Sequence, residues 1–143
     1  MSFDLKINNQ DLVIKNGQLQ QVTDSEKLIQ DILKICLTAA GSNPLHPAYG
    51  SLVSRTLIGN PLYSSVLAQI GKAQLNNCLE NLKSLQALQV KSFQRVSADE
   101  QIAAIVDISV YRSEVDLRYF NILIKAVTKG LKPITTAFRV STI

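Results

Sequence analysis

Two hydrophobic periods divide the chain. Leu28, Ile29, Ile32, Leu33, Ile35, Cys36 and Ala40 recur at three- and four-residue intervals, with Lys27, Gln30, Asp31, Lys34 and Thr38 between them. That spacing gathers one apolar stripe on one face of a helix. Thr23-Asp24-Ser25-Glu26 stands just before it and has the form of a capping box, so the helix is expected to begin there. A longer helix is predicted from Tyr63 to Leu82, with Val66, Leu67, Ile70, Ala73, Leu75, Cys78, Leu79 and Leu82 inward. Gly71 within it costs up to about 1 kcal/mol relative to alanine, which points to a close packing contact. A short helix, Ser51 to Ile58, precedes it and stops at Gly59-Asn60-Pro61.

From Leu85 the period falls to two. Leu88 and Val90 read as a first strand, and Ile102, Ala104, Val106, Ile108 and Val110 as a second. Ile122, Ile124 and Ala126, then Ile134, Thr136, Phe138 and Val140, give two more, the last running from Ile134 to Ile143. Ser97-Ala98-Asp99-Glu100 and Lys129-Gly130-Leu131-Lys132-Pro133 are the turns. Near the start, within Asp11 to Val22, the runs LVI and LQQV flank Lys15-Asn16-Gly17-Gln18, a strong hairpin signal. Helices followed by a meander of strands predict an α+β domain. Its N-terminal β-hairpin and helices pack on a C-terminal antiparallel sheet, in a single unit covering residues 1–143.

The segment from Leu37 to Leu52, LTAAGSNPLHPAYGSL, joins the first helix to the short one. Gly41 is expected to end the first helix, because glycine accepts the left-handed conformation of a C-terminal cap. Pro44 and Pro47 fix φ and bias Asn43 and His46 toward extended backbone, so the loop should be stiff. Tyr49 can pack back on the domain, with Gly50 as a pivot.

Composition, 46% hydrophobic and 18% charged, is that of a globular protein able to bury a core. No run approaches the roughly 20 apolar residues of a membrane span, and MSFDLKINNQ lacks a signal region, so the expected setting is a cytoplasm. Cys36 and Cys78 lie in helical segments and are expected to be buried, inert thiols rather than a disulfide or a metal knuckle. Charge is uneven. Residues 1–116 carry ten Lys or Arg and eleven Asp or Glu, whereas residues 117–143 carry Arg118, Lys125, Lys129, Lys132 and Arg139 and no acid, which makes the net charge +4. Such an end favours an acidic partner.

Catalytic signals are missing. The one histidine, His46, has no nucleophile elbow to serve, and one His with two separated Cys makes no metal site. No phosphate-cradling glycine motif occurs, and no cofactor is expected. Glycoside hydrolysis needs two carboxylates in different environments. Glu26 belongs to the capping box, Glu80 to a polar helix face, and Glu100 and Glu114 to turns or strand edges, so none is expected to be a buried acid. Nucleic-acid binding would need basic residues interleaved with stacking aromatics, and Arg118-Tyr119-Phe120 and Phe138-Arg139 offer little of that.

The order of these segments resembles a known family. DLVIKNGQLQQVTDSEKLIQDIL, LTAAGSNPLHPAYGS, a helix, then IAAIVDISV and FNILIKAVTKGLKPITTAFRV look like the baseplate wedge family of contractile phage tails. That family includes baseplate assembly protein W, a wedge protein once called a lysozyme, and counterparts in type VI secretion and other contractile injection systems. The matching positions are the Gln30 helix and Gly41, Pro47, Tyr49 and Gly50. Many members carry Gly-Glu and then an arginine in the loop; here Ser42 follows Gly41, and Leu45-His46 replace the basic residue, so shape rather than charge is the shared feature. The resemblance implies a non-enzymatic structural protein of the virion tail baseplate, assembled in the host cytoplasm and present in six copies. It implies larger baseplate wedge proteins and the tail sheath as partners, with neither membrane nor nucleic acid. The expected partner interface is Gly41, Pro44, His46, Pro47, Tyr49 and Gly50 on the loop, with Phe138, Arg139 and Val140 on the last strand as a template that starts the sheath. The alternatives are a small basic nucleic-acid-binding domain and a peptidoglycan-hydrolysing enzyme.

Overall fold

Two short hairpins and a ladder that closes over them, where the sequence predicts one hairpin, open the chain. In the computed structural model, which describes residues 2–60, 62–92 and 94–141, β1 (Phe3–Leu5) pairs with β6 (Gln21–Thr23), β2 (Ile7–Asn8) with β3 (Asp11–Leu12), and β4 (Ile14–Lys15) with β5 (Gln18–Leu19). The predicted Asn-Gly turn joins β4 to β5, with Asn16 and Gly17 at φ 53° and 75°, the left-handed pair of a type I′ hairpin. Asn9 and Gln10 make a second such turn at φ 49° and 67° without any glycine to announce it. Where the ladders meet, a ring of backbone bonds closes. Lys6 N–H donates to Gln20 O (2.8 Å), Val13 N–H to Lys6 O (3.0 Å) and Gln20 N–H to Val13 O (3.0 Å).

Helix α1 spans Asp24–Leu37, yet the predicted capping box does not form. Thr23 is still paired with Phe3 in the β1–β6 ladder and makes no capping bond, Asp24 takes the corner at φ 51°, and Glu26 is exposed. The Asp24 carboxylate instead accepts from Ser97 Oγ at 2.8 Å. Capping-box geometry appears at the Ser97-to-Glu100 turn, a 3-10 turn over Ala98–Glu100, where the Glu100 carboxylate reaches back to the Ser97 N–H at 3.1 Å. Glu100 is therefore not the turn-edge acid expected but a buried one, 1% exposed.

α2 covers Val53–Leu57, inside its predicted bounds; of the expected stop Gly59-Asn60-Pro61, Gly59 takes φ 63° and Pro61 lies outside the described residues. α3 covers Ser64–Lys91. Leu88 and Val90 are thus helical and exposed, which corrects the predicted first strand. Residues 83–91 contain no glycine or proline and mix good helix formers, so the helix continues. Its inward position there is Gln86, whose Nε2 donates to Glu100 O (2.9 Å) while its Oε1 accepts from Ile102 N–H (2.9 Å). A buried amide thus clamps the helix to the start of the sheet where an apolar stripe would have been legible. Gly71 makes the expected contact: a Cβ there would sit 3.5 Å from Val110 Cγ1 and 3.8 Å from Leu57 Cδ2.

The sheet is antiparallel in the order β7 (Ile102–Arg112), β8 (Tyr119–Thr128), β9 (Pro133–Ser141). Residues 142 and 143 of the predicted last strand lie outside the described residues. Phe120, Ile122, Ile124 and Ala126 point into the core beside Ile134, Thr136 and Val140 of β9 and Ile108 of β7. Against them lie Leu28, Ile32, Ile35 and Cys36 of α1, Val53 and Leu57 of α2, and Leu67, Leu75, Cys78 and Leu79 of α3. Ala104 and Val106 leave the predicted inward row, Val106 at 63% exposure, and Ile105 packs on the core instead, because register shifts between Ile102 and Ala104 and between Ile105 and Asp107 bend β7. The architecture is the expected α+β one, with helices on one face of the C-terminal antiparallel sheet.

Candidate partner interface

The proline loop is built from the end of α1 outward. α1 stops at Leu37, earlier than the predicted Gly41, because Thr38 turns back on the helix: its N–H and Oγ both donate to Lys34 O, at 3.0 and 2.6 Å. Ala39 then pairs in parallel with Ser51. Ser51 N–H donates to Thr38 O (2.8 Å), Ala40 N–H to Ser51 O (3.0 Å), and Ser51 Oγ to Cys36 O (2.6 Å), which satisfies carbonyls that a helix end leaves open. Gly50, at φ 118°, makes this closure possible; a Cβ there would lie 2.7 Å from Thr38 O and 2.9 Å from both Ala39 C and Ala40 N. Gly41 serves the loop's own turn at φ 82°, donating to Pro47 O at 3.0 Å, and Tyr49 N–H donates to His46 O at 3.0 Å.

The loop is therefore tied at both ends, and Tyr49 lies half-buried against the core, where burial raises its hydroxyl above the usual tyrosine range. Gly41, Pro44, His46 and Pro47 are exposed, while Gly50 is buried and acts on the backbone alone. Leu45, 84% exposed, joins Pro47, Ala48 and Leu85 of α3 around a cleft of about 280 Å³.

On the sheet, the hydrogen-bond parity decides what β9 offers. Thr128 N–H donates to Lys132 O, so the pairs Ala126–Ile134, Ile124–Thr136 and Ile122–Phe138 exchange ladder bonds. Thr135, Ala137 and Arg139 therefore turn their N–H and C=O groups away from β8. No described residue pairs with them, and all three are exposed. β9 is an open edge. Of the predicted residues on it, Arg139 lies outward, Phe138 is half-buried beside a groove, and Val140 is buried at 6% exposure, so its side chain belongs to the core. Loop and strand do not form one site. They flank the end of α1, since Thr38 lines the β9 groove and its carbonyl accepts from Ser51.

The basic C-terminal field is partly neutralised by acids from earlier in the chain. Lys132 pairs with Asp99, and Arg118 with Asp116 at 3.0 Å, while Lys129 in the β8–β9 turn donates to the neutral Gln101 Oε1 (2.7 Å), and Lys125 and Arg139 lie on the sheet's outer surface.

Gln30 has a structural task that sequence reading did not assign. Its Oε1 accepts from Ile7 N–H (3.0 Å) and its Nε2 donates to Leu5 O (2.8 Å) and Asp4 Oδ2 (2.9 Å), so one amide pins the hairpin junction to α1. Lys34 pairs with Asp4 beside it and with Asp31 at 3.1 Å. Burial opposes the charged Asp4 carboxyl, but the hydrogen bonds from Lys34 and Gln30 outweigh it and hold the carboxyl below its usual range. Burial likewise opposes charge on Lys34, and Asp4 and Asp31 hold its ammonium above the usual range.

Of the four glutamates, Glu26, Glu80 and Glu114 are exposed. Glu100 has both oxygens engaged: Oε1 accepts from Ser2 N–H (3.2 Å), and Oε2 from Ser2 Oγ (2.8 Å) and Ser97 N–H (3.1 Å). Cys36 and Cys78 are buried and free, with hydrogen bonding to Cys78 and burial pushing the Cys36 thiol up. Among the described residues no group of three or more His, Cys, Asp or Glu is placed to hold a metal ion, and no helix is long and apolar enough to cross a membrane.

No family model matches the chain, and no curated protein matches it. Among solved structures, the chain is similar to a Geobacter sulfurreducens protein that carries the provisional name of tail lysozyme. The two superpose with a TM-score of 0.62 at 11% identity, over 82% of this chain and 90% of that one. At that identity the likeness establishes a shared fold.

Proposed function

We propose that this protein is a structural component of a contractile, phage-tail-like baseplate, which joins larger wedge proteins to the tail sheath and starts sheath assembly, in six copies per particle. The observation that carries the proposal is the open β9 edge, on a fold shared across most of the chain with a protein named for a tail. An edge whose N–H and C=O groups are unpaired accepts an extended segment of another chain through main-chain bonds. The prolines and backbone bonds of the Gly41-to-Gly50 loop lower the entropy lost when it docks, which suits an anchoring contact with the wedge.

The lysozyme name carried by the structural neighbour finds no matching chemistry in these carboxylates. A general acid must reach its substrate, and Glu100 is held by three donors and shut from solvent. The protein is proposed to be non-enzymatic. The test is a deletion of its gene in the producing cell, complemented in trans, with particles viewed by electron microscopy. Sheathless or short-sheathed particles from the deletion, restored by complementation, support the proposal. Normal particles from the deletion, or clearing of a peptidoglycan suspension by the purified protein, would overturn it.

A further inference from the structure

Beside the β9 edge lies a groove of about 600 Å³ whose position matches that of a missing fourth strand. Leu33 and Leu37 of α1 and Thr38 just past its end form its floor, Ala137 and Phe138 of β9 one wall, and the β2–β3 turn the other. Neighbouring strands in a sheet lie about 4.8 Å apart. α1 therefore extends beneath the space that a strand paired with β9 would occupy, and half of that strand's side chains would point down onto it.

The groove's chemistry selects what those side chains are. Its polar liners on and just past α1 are already used: Gln30 by Leu5 and Ile7, Lys34 by Asp4 and Asp31, and Thr38 Oγ by Lys34 O. Leu37, 56% exposed, and half-buried Phe138 are the apolar surfaces left to cover between α1 and β9, with exposed Ile7 on the far wall beside Asn8, Asn9 and Gln10. On the opposite face of the sheet, side chains of the added strand would lie beside Arg139, which is exposed, with Lys125 two strands in.

We infer that β9 accepts an extended partner segment of alternating pattern, apolar residues facing Leu37 and Phe138 and acidic residues facing Arg139. This rests on the reading of β9 as a docking edge and adds the sequence rule by which that edge selects its strand. Alternation follows from the period of a strand, since successive side chains take opposite faces. Charge sets the rule on the outer face, and on the α1 side of the groove the apolar surface of Leu37 and Phe138 sets it, because the polar side chains of Gln30, Lys34 and Thr38 there are already engaged.

The probe is a fluorescein-labelled, acetylated peptide of alternating leucine and aspartate, compared with one of alternating leucine and lysine, in fluorescence anisotropy with the full chain. The aspartate peptide should bind at least tenfold more tightly and slow hydrogen exchange at the Ala137 and Arg139 amides. Leu37→Glu, at an exposed site, should weaken it tenfold or more, and Arg139→Glu should reverse the preference between peptides. Leu131→Glu, on the far turn, should change nothing. Ala137→Pro removes one outward N–H without touching the β8 ladder and should abolish binding. If Ala137→Pro abolishes binding while Leu37→Glu and Arg139→Glu leave it intact, the edge reading stands and the groove rule falls. Equal affinity for the two peptides, or no binding and no exchange protection with the wild type, overturns the inference whatever the particles show.

Discussion

Gly50→Ala separates a glycine needed for close approach from one needed for its φ alone. The added Cβ would meet three backbone atoms of residues 38 to 40 at 2.7–2.9 Å, none of which is the free end of a side chain. Relief requires the Thr38–Ser51 closure to open, with loss of two backbone bonds and of the Ser51 Oγ bond to Cys36 O. At about 1 kcal/mol net per hydrogen bond, that is roughly 2–3 kcal/mol. A non-glycine residue in so sparsely populated a backbone region adds about 1–3 kcal/mol, which puts the total near 4 kcal/mol. For a chain of this length each kcal/mol moves Tm by about 3 °C, so Tm should fall by roughly 12 °C. Gly41→Ala is the control, since nothing lies within 4 Å of a Cβ there and only its φ of 82° is strained. It should cost about 1–2 kcal/mol. Thermal and urea unfolding followed by circular dichroism measure both. If the two variants lose the same stability within about 0.5 kcal/mol, the close approach at Gly50 is not what holds the loop.

Other expectations follow from single contacts. Leu131→Gly should stabilise the protein by about 1 kcal/mol in the same assay, because Leu131 sits at φ 63° in the β8–β9 turn with its side chain exposed. Gly130→Ala should destabilise it, since its Cβ would overlap Asp99 Oδ1, which Lys132 and Thr128 hold in place. Glu100→Gln turns an all-acceptor group toward three donors and should cost about 1–3 kcal/mol by urea melt. Because the Asp4 carboxyl is held low, its contribution to stability is full above the ordinary carboxylate range and is lost as pH falls through its depressed value. Asp4→Asn should remove that acid dependence from exchange at the Leu5 and Ile7 amides.

Much of the architecture was legible because its signals are periodic. The stripe of α1, that of α3 apart from Val66 and Ala73, which are exposed, the strands β8 and β9 and the Asn16-Gly17 turn all follow apolar spacing or turn chemistry local to a few residues. What escaped had another cause in each case. Leu88 and Val90 alternate by coincidence on a helix whose inward residue is Gln86, so polarity at a buried position hid the period. Thr23-to-Glu26 has the form of a capping box, but pairing of Thr23 with Phe3 outcompetes the cap. Glu100 looked like a turn acid because its donors come from Ser2, far away in sequence, as well as from Ser97. At the candidate interface, the stiff loop and the last strand could be named, whereas Val140's burial and the outward amides of Thr135, Ala137 and Arg139 depend on a register that only the folded sheet supplies.

A cryo-electron microscopy map of the isolated particle would decide whether this chain is the baseplate element on which a sheath begins. Six copies of this fold should stand at the baseplate end of the sheath, each with a fourth strand from another subunit bonded to Thr135, Ala137 and Arg139 of β9. A map in which the chain is absent from the particle, or present with the β9 edge facing solvent, would contradict that role.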